Sequence, residues 1–252
     1  MKSRQESSSI PIQARSASEW IDRFEATGKR IHSLALRACI ARQVMNACLV
    51  ASGLLILPGV VCAEEKNNPK DVTLFDGKTF DGWEGNLKVF RIEDGAIVGG
   101  SLKKGLRHNQ FLCTKKEYGD FELRLKVRLV GKNVNAGVQI RSKRAPKGSE
   151  VIGYQADLGG SWWGKLYDES RRRKMLAGKP FKEIAKSVKT RDWNEYVIRC
   201  EGKRLQFSLN GVKTVDYTEP DDKIEQKGII GLQIHSGGPS EAWYKEIVIR
   251  KL

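Results

Sequence analysis

Cysteine is too scarce to build a disulfide scaffold: of five residues, Cys39, Cys48 and Cys62 fall within the first 63 positions, leaving Cys113 and Cys200 for the rest. Two cysteines permit one bridge in an oxidising compartment, yet both lie in apolar strand-like runs where buried free thiols are at least as much at home. A long hydrophobic run is missing too. The apolar stretch 47–61 (ACLVASGLLILPGVV) is shorter than the roughly 20 residues that a transmembrane helix needs, so no stable membrane span is expected once it is removed. The formal charge of +15 comes without zinc-ligand spacing, a basic zipper or a long helical charge stripe, so no nucleic-acid partner is expected. Helical periodicity is confined to a weak, short rhythm over residues 181–188.

The apolar stretch follows Arg30, Arg37 and Arg42 and ends in Val61-Cys62-Ala63, the basic-then-apolar pattern of a secretion signal with an A-x-A-like cleavage site. Residues 1–63 therefore read as a signal peptide with an extended basic region, and 64–70 (EEKNNPK) as a polar linker. Residues 71–252 are left as the folded domain of a secreted or periplasmic protein. Eight basic and four acidic residues precede Glu64, so the remainder keeps 37 against 26 and still attracts anions.

From Asp71 on, short segments rich in Val, Ile, Leu, Phe and Tyr alternate with Gly, Asn and Asp. Asp94-Gly95 and Asn210-Gly211 sit between such segments and favour the positive-φ turns of tight hairpins. Residues 121–130 (FELRLKVRLV) alternate strictly, with Phe121, Leu123, Leu125, Val127 and Leu129 on one side and mostly charge on the other. Many antiparallel strands with little helix imply an all-β sandwich or jelly roll.

Three segments depart from ordinary solvent-facing polarity. Opposite Val138 and Ile140 lie Gly137, Gln139 and Arg141; opposite Tyr154, Ala156 and Leu158 lie Gly153, Gln155 and Asp157; opposite Ile230, Leu232 and Ile234 lie Gly231, Gln233 and His235. Amides and carboxylates offer paired donors and acceptors to polyol hydroxyls, and the glycines leave room for a ligand to approach. Trp162 and Trp163, in the glycine-rich stretch before Asp168 and Glu169, are either flat platforms for sugar faces or covers for one end of the core. The run Arg171-Arg172-Arg173-Lys174 is a solvated loop or an anion contact.

Taken in order, Leu74-Phe75-Asp76-Gly77, Gly82-Trp83, Asn135-Ala136-Gly137, Arg141, Gly153-Tyr154-Gln155, Gly164-Lys165-Leu166-Tyr167-Asp168, Trp193-Asn194, Asn210-Gly211 and Gly231-Leu232-Gln233-Ile234-His235 resemble the 3-keto-disaccharide hydrolase family. That family is also named for 3-keto-glucoside lyase and 3-keto-2-hydroxy-glucal hydratase activity. The resemblance implies a concanavalin A-like jelly-roll sandwich of two antiparallel sheets and an oligosaccharide or glycoside substrate. The chain departs from many members in having Ala136, Gln155, Asp157 and the run 244–247 (YKEI); the strand carboxylate has in effect moved from position 155 to 157.

The implied chemistry is cleavage of a glycoside whose sugar carries a ketone at its third carbon, which acidifies the adjacent C–H. Such a site needs a base, an enolate stabiliser and an acid. On this reading His235 or Asp157 is the base, Arg141 the charge partner of the ketone oxygen, and Asp168 or Glu169 the acid, since adjacent strand residues cannot both face the site. Gln139, Gln155, Trp162, Trp163, Tyr167, Gln233 and Lys245 are expected to contact substrate. A divalent metal held by Asp157, His235 and a further carboxylate is an alternative electrophile to Arg141, though no ligand spacing demands it. The competing class is a non-catalytic, lectin-like binding module on the same face. A two-carboxylate glycosidase ranks third, because no predicted strand carries closely alternating acids.

Overall fold

A computed structural model describes residues 70–252, which form two antiparallel sheets packed face to face. The leader and its cleavage site after Ala63 lie outside the described residues. One sheet runs β13 (Val212–Thr218), β12 (Arg204–Leu209), β11 (Asn194–Glu201), β6 (Phe121–Gly131), β15 (Ser240–Lys251), β4 (Ala96–Ser101), β3 (Phe90–Glu93), with β1 (Asp71–Thr73) paired to the far half of β15. The other runs β10 (Met175–Ala177), β9 (Leu166–Glu169), β8 (Val151–Leu158), β7 (Ala136–Arg144), β14 (Ile229–Ile234), β5 (Gln110–Thr114), β2 (Trp83–Gly85). Runs of sequential strands pair as hairpins, β7 to β10 in one sheet and β11 to β13 in the other, but the chain crosses repeatedly between the sheets, which makes the fold a jelly roll rather than two meanders.

Local chemistry explains the ladders. Asp94 and Gly95 take φ of 50° and 71° between β3 and β4, and Asn210 and Gly211 take 47° and 79° between β12 and β13, so both dipeptides form the left-handed turns expected of them. Strand β6 alternates buried and half-buried residues along its length, with Phe121 to Leu129 inward. Val138, Ile140, Tyr154, Leu232 and Ile234 meet that face from the second sheet and complete one continuous core. The weak helical rhythm becomes one short helix, α1 (Phe181–Ile184), followed by a 3-10 turn, with Ile184 buried. Among the described residues no helix is long and apolar enough to cross a membrane.

The two outer faces differ. Glu122, Arg124, Lys126 and Arg128 line the outside of the first sheet, half-exposed and paired with surface partners such as Glu122 with Arg124. On the outside of the second sheet Gln139, Gln155, Asp157 and Gln233 are 0–5% exposed. A hydroxyl from the opposite sheet braces that second sheet from below: Tyr244 crosses the core and donates toward the carbonyls of Gln233 (2.5 Å) and Gly137 (3.3 Å).

Candidate functional site

Strands β8, β7 and β14 are consecutive in the second sheet, so the three polar faces do adjoin. Register sets their rows: Tyr167, Gln155, Gln139 and Gly231 lie side by side, and Asp157, Gly137 and Gln233 form the next row. Gly137 is required here, because a Cβ at that position would stand 2.5 Å from the Gln155 side chain that lies across it. The amides form a directional chain. The Ser142 hydroxyl donates to Gln139 Oε1 (2.8 Å), Gln139 Nε2 donates to Gln155 Oε1 (2.7 Å), and Gln155 Nε2 donates to Asp157 Oδ1 (2.7 Å).

Asp157 ends that chain with a single side-chain donor and no cation bound to it. Burial pushes its carboxyl up to about 7, against the lowering effect of the Gln155 amide; Glu169 adds to the rise and Lys165 opposes it. Glu169 faces the same side, paired with Gly153, and is raised by burial and by the neighbouring Glu150 carboxylate. Tyr167, between them on β9, is raised by burial and then by Glu169 and Asp157. Gln233 is fully buried with neither its Nε2 nor its Oε1 bonded, and such a pair of amide groups demands a partner. His235 follows β14 on this side. Its main-chain N–H is held by Asn135 O (3.1 Å), and its Nδ1 lies 2.7 Å from Ser236 O, an arrangement that makes Nδ1 the protonated nitrogen and leaves Nε2 free to accept. It interacts electrostatically with Glu169. Asp157 and His235 are two strands apart, about 10 Å by inter-strand spacing.

The model of the 3-keto-alpha-glucoside-1,2-lyase-like domain matches residues 70–250, nearly all of the described chain. The chain belongs to that family. No curated protein matches it at the level of sequence. Among solved structures it is similar to a candidate glycosyl hydrolase from Parabacteroides distasonis (24% identity, 72% of this chain and 99% of that one, TM-score 0.53). It is likewise similar to a galectin-like protein of unknown function from Bacillus subtilis (10% identity, 72% and 94%, TM-score 0.55) and to a non-specific endo-β-1,3(4)-glucanase (9% identity, 73% and 93%, TM-score 0.51). These likenesses show the jelly-roll fold; the family makes this a carbohydrate-related domain.

Four residues expected at the site of this lyase-like domain are placed elsewhere. Arg141 does not share the face of Gln139. A bulge between Ile140 and Lys143, with Arg141 at φ 45°, turns its side chain under the sheet, where it is fully buried and bonds Gly119 O, Gly202 O, Gln226 Oε1 and Asp120 Oδ1. It ties turns together at one end of the sandwich, and the bulge delivers Ser142 to the polar face in its stead. Asp168 points away from Glu169, opposite Tyr154, and is bound by Arg171 and Arg172. Lys245 lies in the other sheet, on its outer face, 4.5 Å from the Trp193 ring and beside Glu246. Trp163 is 7% exposed and covers the core, whereas Trp162 is 45% exposed with the Lys165 ammonium 5.3 Å from its ring.

The basic run is split as well. Arg171 and Arg172 are half-buried in a network with Asp168, Glu219 and Tyr154, while Arg173 and Lys174 are exposed. Cys113 and Cys200 are buried and unpaired, burial raising their thiols to about 11 and about 12. Among the described residues no group of three His, Cys, Asp or Glu side chains is disposed to hold a metal ion, so no step below is routed through one. Ser142 and Glu150 are the polar residues of this face that sequence patterning missed. A bulge leaves no mark in residue alternation, and Glu150 precedes its strand.

Proposed function

We propose that this domain cleaves 3-keto-glycosides by elimination across the bond between the first two sugar carbons. The observation that carries the reading is Asp157: a carboxylate on a sheet face built of amides, held by one donor, with its carboxyl raised to about 7. A base with a pKa near the working pH is both present as carboxylate and strong enough to take an acidified C–H. Asp157 takes the proton from the second carbon, and the C–H electrons pass into an enolate whose oxygen accepts from Gln233 Nε2–H, which otherwise has no partner. The enolate collapses to the ketone, the bond from the first carbon to the glycosidic oxygen breaks, and that oxygen takes a proton from Glu169, whose carboxyl burial and the nearby Glu150 raise above its ordinary value. The products are a free alcohol and an unsaturated 2-hydroxy-3-keto sugar, and addition of water across the new double bond yields the free 3-keto sugar without change of oxidation state.

Arg141 and Asp168 have no part in this scheme, since both are engaged in the supporting structure. His235, with Nε2 free, serves the ligand rim beside Asn135. Export from the cytoplasm is part of the proposal and is tested by mass spectrometry: a mature form beginning after Ala63 supports it, and one retaining residues before Val44 contradicts it. The activity is tested by incubating residues 64–252 with a 3-keto-glycoside and with its unoxidised counterpart. Release of the alcohol from the ketone alone is expected. Binding of both sugars with no cleavage, with and without added divalent metal, would replace the enzyme by a lectin-like module.

A further inference from the structure

A second feature adjoins the polar face at the end where β7 begins and β8 ends. A groove of about 590 Å³ opens between residues 131–135, the turn 159–163 and Thr190-Arg191. It is continuous with the site through the chain itself: Gly159 follows Asp157 by two residues, and Asn135 holds the main-chain N–H of His235. Its chemistry differs from that of the polar face. Asp157, Glu169 and Glu150 make the face acidic, whereas the groove is lined by Lys132 and Arg191 and by no carboxylate. Neither cation has an ion-pair partner among the described residues; Arg191 sits at φ 60°, in a turn whose hydrogen bond runs from Asp192 N to Lys189 O. Asn135 Oδ1 is buried there without a partner, and the Trp162 indole stands 45% exposed on one wall.

We propose that this groove is a subsite for an anionic sugar unit, one bearing a carboxylate or a sulfate, joined to the sugar on the polar face. The indole supplies the flat apolar wall for a pyranose ring, Asn135 Oδ1 accepts from a ring hydroxyl, and Lys132 and Arg191 take the charge. An unpaired cation pair beside an acidic face also sets direction, because an acidic unit is repelled by the carboxylates of Asp157 and Glu150 and drawn to the groove, so the neutral reacting unit falls on the polar face. This rests on the polar face being a saccharide site.

The test is calorimetric binding of three disaccharides that share a glucosyl unit and differ in the second: glucose, glucuronate, or glucose 6-sulfate. At low salt we expect at least one acidic compound to bind tenfold or more tighter than the neutral one, the stronger of the two identifying the anion. The advantage should fall below threefold in 0.5 M salt and in the exposed double variant Lys132→Gln/Arg191→Gln, and the Trp162 indole N–H resonance should shift on binding. If the neutral compound binds and the acidic ones gain nothing, or if the gain survives the double variant, the subsite is refuted while the saccharide face stands. If none of the three binds while a 3-keto-glucoside does, the subsite is refuted and the polar face stands; if the 3-keto-glucoside fails as well, the reading of the polar face falls, and this one with it.

Discussion

Two buried polar clusters lie within a few residues of each other on β8 and β9, and they solve the burial of charge in opposite ways. In the first, Asp168 is bound by Arg171 and Arg172, Arg172 forks onto both oxygens of Glu219, Tyr154 donates to Glu219, and Arg171 lies 4.5 Å from the Tyr154 ring centre. Burial alone would raise the Glu219 carboxyl, but Arg172, Tyr154 and the Asp221 N–H together hold it at about 2. In the second cluster Asp157 has one amide, Gln233 has nothing, and burial goes uncompensated, so the carboxyl rises to about 7. Neighbouring residues of one strand pair thus divide by face into paired charges that hold structure and groups left short of partners, where the proposed site lies. Density of charge in the sequence points to the wrong cluster: the arginine run serves the first, and the second is mostly amides.

The contrast can be broken from either side. Arg172→Met leaves Asp168 and Glu219 buried with too few partners and should cost about 3–5 kcal/mol, read as a fall in the urea midpoint at unchanged slope. Turnover per folded molecule should hold, and loss of turnover at intact stability would move this cluster into the site. Gln233→Leu removes the unpaired donor of the proposed enolate contact. Turnover should drop by roughly a hundredfold, about 3 kcal/mol of transition-state stabilisation, with the folded state as stable or more so, since two unbonded polar atoms leave the interior.

The clusters should also respond to pH with opposite sign. Asp157 has a folded pKa raised above its ordinary 3.8 to about 7, so its contribution to stability is fully present below about 4 and is lost as the pH climbs to 7. Glu219 is depressed from 4.5 to about 2, so its contribution is present above about 4.5 and is lost as the pH falls toward 2. Asp157→Asn should therefore gain on the wild type by on the order of 2 kcal/mol between pH 4 and 8, about half of what the full shift implies. Denaturation at the two pH values reads it, and a constant difference would contradict the raised carboxyl. The smallest effect is expected from Trp162→Ala: affinity for sugar weakened about threefold to tenfold, with turnover at saturation little changed, because a stacking wall acts on ground state and transition state alike.

The strands were legible because each local signal agreed with the fold. Asp94-Gly95 and Asn210-Gly211 placed hairpins, and the strict alternation of 121–130 placed a half-buried strand. The polar faces of 153–157 and 231–233 were legible for the same reason, alternation being undisturbed there. Arg141 was misplaced because one bulged residue reverses the side of everything beyond it, and bulges depend on pairing that a single strand does not display. Alternation alone could say only that Asp168 and Glu169 oppose each other; the register of Gly153 against Glu169 decides which one faces the site. Lys245 was placed by position in a run rather than by geometry, and its sheet faces elsewhere.

The account stands on Asp157 as the base, and the most direct test follows the proton it takes. With a 3-keto-glycoside in heavy water, the rate of deuterium entry or loss at the second sugar carbon, together with alcohol release, is measured against pH for the wild type and Asp157→Asn. The account predicts a wild-type rate that rises through a pH near 7, the pKa to which burial brings this carboxyl, and a variant slower by roughly a hundredfold or more in both readouts, in line with loss of a general base. A variant that exchanges and cleaves at the wild-type rate, or a wild-type profile flat from pH 5 to 9, would contradict it.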